Sequence, residues 1–358
     1  MSQFAGWPAQ RYHINRPVSD YEKIADLRKI DSSSVTPIDQ GIIALNDVYM
    51  EYVDRHFLYR GWAAMWGTLA VLIPLALAWF MAFTPTETAT GEVRSLTSGE
   101  QLGVAFVVLM ALATAVFAYW FTLGRDIFRY QYYPVRFNRL SRRVHIFTGG
   151  ARGALSVPWD DIHFVIGRDK PFGPGGVYTY DLRGHVIENG RVVHTFAVGS
   201  DGGANPGVVL AQWEMIRRFM ESGRSALPFP PLQLFTSVSP SLRNAFIIHV
   251  SSAGSGMMVV ALPITLPWTL SRYLTMKLCR RPRWPDSVQA DCQPGNGLPG
   301  ALKAPEVYGR VAHGADSEAM AVFWQRAIQD AKALNPGLLT RLDGGATVDK
   351  APGDSADP

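Results

Sequence analysis

The sequence predicts a membrane α-helical hairpin joined to a cytoplasmic α+β domain. Two apolar stretches, 61–83 and 102–123, contain no charged side chain. At about 1.5 Å per residue, each makes a helix of roughly 33 to 35 Å, enough to cross a hydrocarbon core of about 30 Å. From Tyr132 onward the pattern changes to alternating apolar and polar residues with short turns. A buried helical hairpin in a soluble core is the alternative, but such a core has no need of two uncharged helices this long.

The composition fits one membrane hairpin in an otherwise water-soluble chain. Mean hydropathy is +0.03 over 358 residues, which is low for a many-pass transporter. Charged residues make up 18% of the chain, below the soluble average of about 25%. Residues 1–60 precede the first apolar stretch, and 1–40 are polar with three prolines. They lack the apolar run of a signal peptide, so we expect the first span to be an uncleaved anchor.

Loop charges predict the orientation of the hairpin. The link 84–101 carries three glutamates against a single Arg94. Six arginines follow the second span: Arg125, Arg129, Arg136, Arg139, Arg142 and Arg143. Excess basic charge near a span end marks the cytoplasmic side, so both termini are expected there. The arginines are interpreted first as topology determinants and second as ligands for anionic lipid headgroups.

A third apolar region, 250–271, also lacks charge, but its sequence argues against a full crossing. Gly254 and Gly256 open it, Pro263 and Pro267 interrupt it, and a crossing would place the basic group that follows it outside. We therefore predict a re-entrant or interfacial segment within a Pro-rich stretch at 225–292.

The segment 130–224 is predicted to form a β-rich domain closed by one helix. Its strands are expected at 135–138, 143–147, 154–157, 162–166, 177–182, 185–188 and 191–198. Asn189-Gly190 is a tight hairpin signal. Asn205 and Pro206 suit the first positions of an amphipathic helix, and Gly223 ends it.

The segments that flank the membrane hairpin and the β-rich domain are predicted to contain few regular elements. Residues 41–55 alternate around Asn46-Asp47 and predict either a hairpin that extends the sheet or a juxtamembrane helix. In the segment 293–358, an amphipathic helix is expected at about 317–334, ended by Asn335-Pro336-Gly337 and followed by a polar, disordered tail.

A search for catalytic or metal-binding motifs finds none. The eight histidines show no metal-like spacing, and no Walker loop or GxSxG elbow is present. The Gly-rich loop 173–176 is interpreted as a turn. Cys279 and Cys292 have no CxxC partners, and free thiols are favoured over a disulfide. We predict no catalytic, cofactor-binding or metal residue and no cofactor; the absence of ionisable residues within the spans argues against transport.

Several acidic, aromatic and histidine side chains of the β-rich segment have both a structural and a functional interpretation. Asp160 and Asp161 are adjacent, so a strand would point them to opposite faces, and a turn or cap role is favoured over shared acid/base chemistry. Trp159 is interpreted as a core residue. His163, His185 and His194 lie on different predicted strands. Their convergence beside Asp160 or Asp181 in an open pocket would support an enzyme.

Two resemblances add to this interpretation. Six or seven short strands followed by one helix resemble a pleckstrin-homology-like fold, and Val157–Ile162 is similar to the middle-strand motif of those domains. A generic small α+β or β-sandwich domain is the alternative. Further short motifs are spread between residues 40 and 290: Leu45-Asn46-Asp47, Val53-Asp54-Arg55, Pro134–Arg139, Val157–Ile162, Asp181–His185 and Arg283-Trp284-Pro285. Through them the chain resembles an uncharacterised bacterial family of two-pass membrane proteins encoded near type VI secretion effectors.

This second resemblance implies a helper, adaptor or immunity role in the bacterial inner membrane, with no catalytic residues to carry over. Its candidate motif residues are Trp159, Asp160, Asp161, Asp181, Arg183 and His185. We expect a non-enzymatic protein whose cytoplasmic domain binds a protein partner or anionic lipid and not nucleic acid. One form is an immunity or accessory protein of a type VI secretion effector. A membrane-anchored enzyme of unknown reaction and an oligomeric channel are the alternatives.

Overall fold

The computed structural model describes most of the chain. The described residues are 12–38, 41–83, 86–87, 93–150, 153–169, 177–200, 202–227, 236–253, 258–294, 300–308 and 317–346. They fall into two compact units. We call Met1–Leu58, Tyr132–Ser239 and Arg281–Pro358 the sheet unit, and Tyr59–Gln131 and Pro240–Arg280 the helical unit. The architecture is α+β with two long apolar helices, as predicted at that level.

The sheet unit contains two antiparallel sheets. The first has the order β1-β11-β10-β9, with β1 at Arg16–Pro17, β9 at Ile162–Asp169, β10 at Thr179–Glu188 and β11 at Arg191–Val198. The second has the order β12-β2-β3-β6-β7-β8. Its strands are β2 Ile42–Leu45, β3 Tyr49–Tyr52, β6 Val135–Asn138, β7 Arg143–Phe147, β8 Ala154–Pro158 and β12 Leu302–Lys303. The predicted hairpin at 41–55 is therefore confirmed over the juxtamembrane helix, because β3 pairs with β6.

Strand alternation builds the core of the second sheet. Met50, Phe137, Val144 and Val157 stand opposite one another across β3, β6, β7 and β8, and all are buried in the main core cluster. Their neighbours along each strand point to the other face, since successive side chains alternate. One face of this sheet is therefore apolar, and the other is free to carry polar side chains.

Strand β10 runs through a position where the sequence predicted a break. Gly184 lies at the centre of the strand, opposite Phe196 of β11. A Cβ atom at Gly184 would lie 2.3 Å from the Phe196 ring, so the glycine makes room for the aromatic side chain. The Asn189-Gly190 turn between β10 and β11 has φ values of 50° and 73°, as its sequence predicted.

The helices of the sheet unit cover the sheets. They are α1 Asp20–Ile24, α5 Pro206–Ser222, α8 Asp286–Asp291, α9 Ser317–Ala333 and α10 Asn335–Ala346. Helix α5 starts and ends where predicted, with Gly223 as its C-cap. Asn205 is the N-cap residue, but its side chain does not cap the helix. Asn335 does so instead, because its amide oxygen accepts a hydrogen bond from the Gly207 N–H at 2.9 Å.

Helix α10 is an addition to the predicted elements. The sequence placed the end of the last helix at Asn335-Pro336-Gly337, and α9 does end just before it. A second helix starts there, because Pro336 lacks an N–H that the first turn does not need. Ala327 and Ala331 of α9 and Leu338 and Leu342 of α10 belong to the main core cluster.

The helical unit is built on two long apolar helices. Its elements are α2 Trp62–Phe83, β4 Thr86–Glu87, β5 Val93–Arg94, α3 Ser98–Ala118, a π-helical turn at Tyr119–Leu123, α4 Gly124–Asp126, α6 Leu242–Ala253 and α7 Met258–Leu278. Within the described residues, the two helices long and apolar enough to cross a membrane lie at Trp62–Met81 and Ser98–Ala118. Ala78, Ala111 and Ala118 are buried, which places small side chains where helices approach closely.

The start of α2 is held by a carboxylate from α4. Asp126 accepts hydrogen bonds from the N–H groups of Gly61 at 2.9 Å and Ala64 at 3.3 Å, and it pairs with Arg60 at 3.4 Å. A negative charge at a helix N-terminus is favourable because free N–H groups point toward it.

The third apolar region is helical. Helix α7 continues through Pro263 and Pro267, and α6 precedes it in the chain, while Gly254 and Gly256 lie outside the described residues. Neither helix is one of the two candidate spans.

Candidate functional site

The predicted motif residues are divided between two parts of the sheet unit. Trp159 and Asp160 lie on a 3₁₀ turn between β8 and β9, and Asp161 ends that turn. Asp181, Arg183 and His185 lie on β10. The two sets therefore have different surroundings.

Asp181 and Arg183 belong to a buried network of four charges. Arg183 contacts Asp181 at 2.8 Å and pairs with Asp169, and Arg55 contacts Asp181 at 2.9 Å and also pairs with Asp169. Burial by itself would raise the pKa of Asp181, but the charges of Arg183 and Arg55 and their hydrogen bonds lower it to about 2. Two carboxylates and two guanidinium groups balance, so each charge of the network has an opposite partner within the protein.

His185 belongs to a second buried polar group. Its Nδ1 shares a 2.8 Å hydrogen bond with the Thr195 hydroxyl, and its Nε2 lies 3.1 Å from Glu22, which also binds Arg16. Burial lowers the pKa of His185 even though Glu22 raises it, so the ring is neutral at pH 7. His163 stacks on His185 with ring centroids 6.3 Å apart.

The third histidine does not join this pair. His194 of β11 stands opposite Val186 of β10, next to the Thr195–His185 pair. Because successive side chains of a strand alternate, His194 lies on the other face of the sheet from Thr195 and His185. His185 and Asp181 are both buried and held by partners. These residues therefore do not form the open acid/base pocket that the enzyme hypothesis requires.

Trp159 lines a cleft, which we call the aromatic cleft. Its ring stacks on Trp213 with centroids 5.5 Å apart and an interplanar angle of 15°, and the Arg28 guanidinium lies 5.3 Å from its centre. The cleft has a volume of about 560 Å³. It is lined by residues 27–33, Trp159, Trp213, Arg217 and Glu221. Trp159 is thus a core residue, as predicted, that also reaches a surface cavity.

The six arginines after the second span have different surroundings. Arg136 is buried and paired with Glu51, and Arg142 pairs with Asp160 at 2.8 Å. Arg139 is half-buried against Gly223. Arg129 and Arg143 are exposed, and the side chain of Arg125 lies outside the described residues. The predicted binding of lipid headgroups stays a prediction for the exposed arginines, since Arg136 is occupied within the fold.

The polar face of the second sheet carries a row of four side chains. Glu51, Arg136, His145 and Ser156 stand opposite one another across β3, β6, β7 and β8. Glu51 accepts hydrogen bonds from Arg136 Nε at 2.9 Å and Nη2 at 2.5 Å, and it also accepts one from Trp284 Nε1 at 3.2 Å. The segment around α8 therefore packs on this face.

Helix α8 places two more polar groups beside the row. The Nε2 atom of His145 lies 3.0 Å from Asp291 Oδ2, and Nδ1 lies 2.7 Å from Ser156 Oγ. Cys292 follows Asp291, and the three donor atoms of His145, Asp291 and Cys292 all lie within 4.8 Å of one another. Burial lowers the pKa of His145 and raises the pKa of Cys292, so the imidazole and thiol are both neutral at pH 7.

A second cleft adjoins this cluster. Its volume is about 550 Å³, and it is lined by Asn46, Tyr49, Arg136, Arg283, Trp284, Gln289, Cys292, Gln293, Pro294 and Ala301. The sequence search missed the cluster because His145 and Asp291 are 146 residues apart. One signal was present: in β6 and β7, polar residues alternate with buried apolar ones, which marks a polar face that something else must cover.

Comparison with known proteins identifies a family but no activity. A family of unknown function (DUF6708) matches residues 110–295, which is more than half of the 358-residue chain. The match includes β6 to β11 and the whole His145–Asp291–Cys292 cluster. No curated protein and no solved structure matches the chain.

Proposed function

The chain belongs to this family of unknown function, and on that premise we propose that it is a two-pass membrane protein whose sheet unit is a non-enzymatic binding module. The observation that carries the proposal is the exposure of apolar side chains on α2 and α3. Only 22% of the α2 window and 11% of the α3 window are buried within the fold. A core helix of a soluble protein would be mostly buried, whereas a lipid-facing helix exposes its apolar side chains to the bilayer.

Individual side chains support a lipid environment. Ile73 of α2 is 65% exposed and Leu102 of α3 is 73% exposed. Each large apolar side chain left in water costs about 1.5 to 3 kcal/mol relative to burial. From Leu102 to Ala118, α3 carries no charge, and α2 carries none along its length. In a bilayer these side chains contact lipid, so that cost is removed. Neither helix has a charged side chain over this length that would need a partner there.

We assign the orientation from the charges of the flanking segments. The link between the helices is acidic, and the arginines follow the second helix, so the link faces outward and both termini are cytoplasmic. The proposed location is the bacterial inner membrane, with the sheet unit in the cytoplasm. The resemblance to a pleckstrin-homology-like arrangement agrees with a binding role for that unit.

The aromatic cleft is the surface of the sheet unit that we propose for a protein partner. Its lining includes Arg28, Arg217 and two tryptophans that are mainly buried in the core, and Trp and Arg are residue types enriched among the side chains that dominate binding energy at protein interfaces. Trp213 Nε1 has no hydrogen-bond partner within the described residues. The resemblance to neighbours of type VI secretion effectors makes such an effector, bound by an immunity or accessory protein, the specific form of this proposal.

Cysteine accessibility tests the membrane part of the proposal. Cys279 and Cys292 are replaced by serine, and a single cysteine is placed at Ser95 or Gly300, which are both exposed. A membrane-impermeant maleimide should label Ser95→Cys in intact cells and Gly300→Cys only after lysis. Labelling of Gly300→Cys in intact cells, or release of the chain from membranes by alkaline carbonate, would contradict the proposal.

Co-expression tests the binding part. Effectors encoded beside this gene are expressed with the wild-type chain, with Arg28→Glu at the aromatic cleft, and with Arg191→Glu as a charge-matched control on β11. Wild type and Arg191→Glu should capture an effector and protect the cell, and Arg28→Glu should fail in both. Absence of capture and rescue with every neighbour would remove the effector form. Loss of bound anionic lipid in Arg129→Glu and Arg143→Glu, seen by native mass spectrometry, would assign lipid as the ligand instead.

A further inference from the structure

We propose that His145, Asp291 and Cys292 form a binding site for a divalent transition-metal ion of the zinc type. The fold brings an imidazole from β7 together with a carboxylate and a thiol from the end of α8. Nitrogen, oxygen and sulfur donors in one cluster match the preferences of zinc and not those of magnesium or calcium, which take oxygen ligands.

The distances suit tetrahedral coordination. With metal–ligand bonds of about 2.0 to 2.3 Å, neighbouring ligand atoms around zinc are roughly 3.3 to 3.8 Å apart. In the protein, His145 Nε2 and Asp291 Oδ2 are 3.0 Å apart, and all three donor atoms lie within 4.8 Å of one another. The donor atoms are thus close to the spacing that an ion between them requires.

The surrounding hydrogen bonds hold the ligands as an outer shell does in known metal sites. Ser156 Oγ lies 2.7 Å from His145 Nδ1, so a proton on Nδ1 leaves the Nε2 lone pair for the metal. Asn138 donates to the Asp291 carbonyl at 2.8 Å and lies 3.6 Å from Cys292 Sγ. Its amide oxygen accepts from the N–H groups of Leu140 and Ser141, which fixes which end of the amide faces the cluster.

The local charge balance permits a dication. Arg136 is a cation beside the cluster, since it stands opposite His145 and its side chain hydrogen-bonds with Cys292. Its charge is compensated by Glu51 through two hydrogen bonds. Arg143, the other cation near His145, is exposed to solvent. A thiolate, a carboxylate and a neutral imidazole around a dication give a neutral site, and binding releases the thiol proton.

The second cleft provides access to the cluster. It is lined by Cys292 and has a volume of about 550 Å³, and the Asp291 side chain is 32% exposed. Three protein ligands leave a fourth position for water or another small ligand, which is the pattern of zinc sites that interact with further molecules rather than only supporting a fold. This inference is independent of the proposed membrane anchoring and of the aromatic cleft.

Metal titration of the full chain in detergent, without a histidine tag and after treatment with a chelator, tests the site. Zn²⁺ should bind at one equivalent by calorimetry. Co²⁺ should give a thiolate charge-transfer band together with the visible spectrum of tetrahedral cobalt. Cys292→Ser and Asp291→Asn should weaken Zn²⁺ binding by more than about 100-fold, and Ser156→Ala by about 10- to 100-fold.

Cys279→Ser is the matched control. Cys279 is also buried but belongs to the helical unit, where its thiol lies 3.1 Å from the Asp126 carbonyl, so its loss should leave metal affinity unchanged. Hydrogen exchange of β6 and β7 confirms that each variant is folded. Absence of Zn²⁺ and Co²⁺ binding by the folded wild type, or equal binding by folded Cys292→Ser, overturns the proposal.

Discussion

The two units use the same apolar residue types in opposite ways. In the sheet unit, Phe137, Phe164 and Trp213 are buried in one core. In the helical unit, Ile73 and Leu102 are largely exposed, although α2 and α3 are the two described helices that are long and apolar enough to cross a membrane. The hydrophobic effect forces burial only where the surroundings are water. In our proposal, the difference reflects two solvents: water around the sheet unit and lipid around α2 and α3.

Polar groups show the same contrast. The sheet unit buries four charges around Asp181 and pairs each of them. In the helical unit, the Arg60–Asp126 pair lies at the start of α2, outside its apolar length. In these two examples the charges that lie away from solvent are paired, and substitutions in the two units measure how much such pairing and burial contribute.

The largest effect is expected for Asp181→Ala in the sheet unit. Removing this carboxylate leaves Arg55 and Arg183 buried with Asp169 alone, and breaking a buried pair in this way costs about 3 to 5 kcal/mol. Hydrogen exchange of the β9, β10 and β11 amides in the full chain should reveal the loss. Arg142→Ala, which removes half-exposed pairs with Asp160 and Glu221, should cost less than about 1 kcal/mol. Equal protection from exchange in the two variants would show that the network around Asp181 stabilises the sheet unit no more than a surface ion pair does.

The next effect is expected in α2. Ile73→Arg places a charge at an exposed position near the middle of the helix, which costs about 2.5 to 3.5 kcal/mol for insertion into a membrane. The fraction of chain resistant to carbonate extraction should fall. Val177→Arg, at a 68% exposed position of the sheet unit, should leave that fraction unchanged. A soluble and fully folded Ile73→Arg chain would show that α2 faces water.

Adding a single methyl group sharpens the contrast in packing. Gly184→Ala should destabilise the sheet unit by about 1 to 3 kcal/mol, because the new Cβ meets the Phe196 ring at 2.3 Å. Gly103→Ala in α3 meets nothing within 4 Å and should be neutral or slightly favourable to the helix. Urea titration followed by exchange at β10 and at α3 compares the two, and a loss of similar size at both sites would contradict the packing difference.

The smallest effect is the acid response of the sheet unit. The pKa of Asp181 is lowered from 3.8 to about 2, so its contribution to stability is present above pH 4 and is lost as pH falls through about 2. We expect about 1 kcal/mol to be lost between pH 6 and pH 3 from this residue. Asp181→Asn should flatten that part of the profile in the same exchange measurement, and an unchanged profile would remove Asp181 as its source.

Local patterns predicted local elements well. The bounds of β6, β7 and β11 agree with alternation in the sequence, and the Asn189-Gly190 turn agrees with its dipeptide signal. The same rule failed around Gly184, where two strands were expected at 177–182 and 185–188 but β10 is continuous. The reason for the glycine, the Phe196 ring, lies on another strand. Helix α10 was missed because Pro336 terminates one helix and starts the next equally well.

The candidate site was less predictable because it depends on long-range contacts. Nothing near His145 in sequence indicates Asp291 and Cys292, which reach it only because α8 packs on the polar face of the second sheet. Asp160 and Asp181 also depend on distant segments for their partners. Asp160 pairs with Arg142, and Asp181 pairs with Arg55. The sequence-based search for closely spaced ligands was therefore unable to find a cluster assembled from distant segments.

The order of assembly follows from how β3 meets β6. These neighbouring strands are separated in the chain by the whole of α2 and α3, and the edge strand β12 comes from residues 302 and 303. During synthesis, the ribosome delivers β2 and β3 first. If α2 and α3 enter a membrane as proposed, β2 and β3 must wait while both helices insert before β6 emerges. The sheet closes only near the end of translation, so a chain whose hairpin stalls at the membrane leaves an unpaired strand edge for chaperones and proteases to recognise.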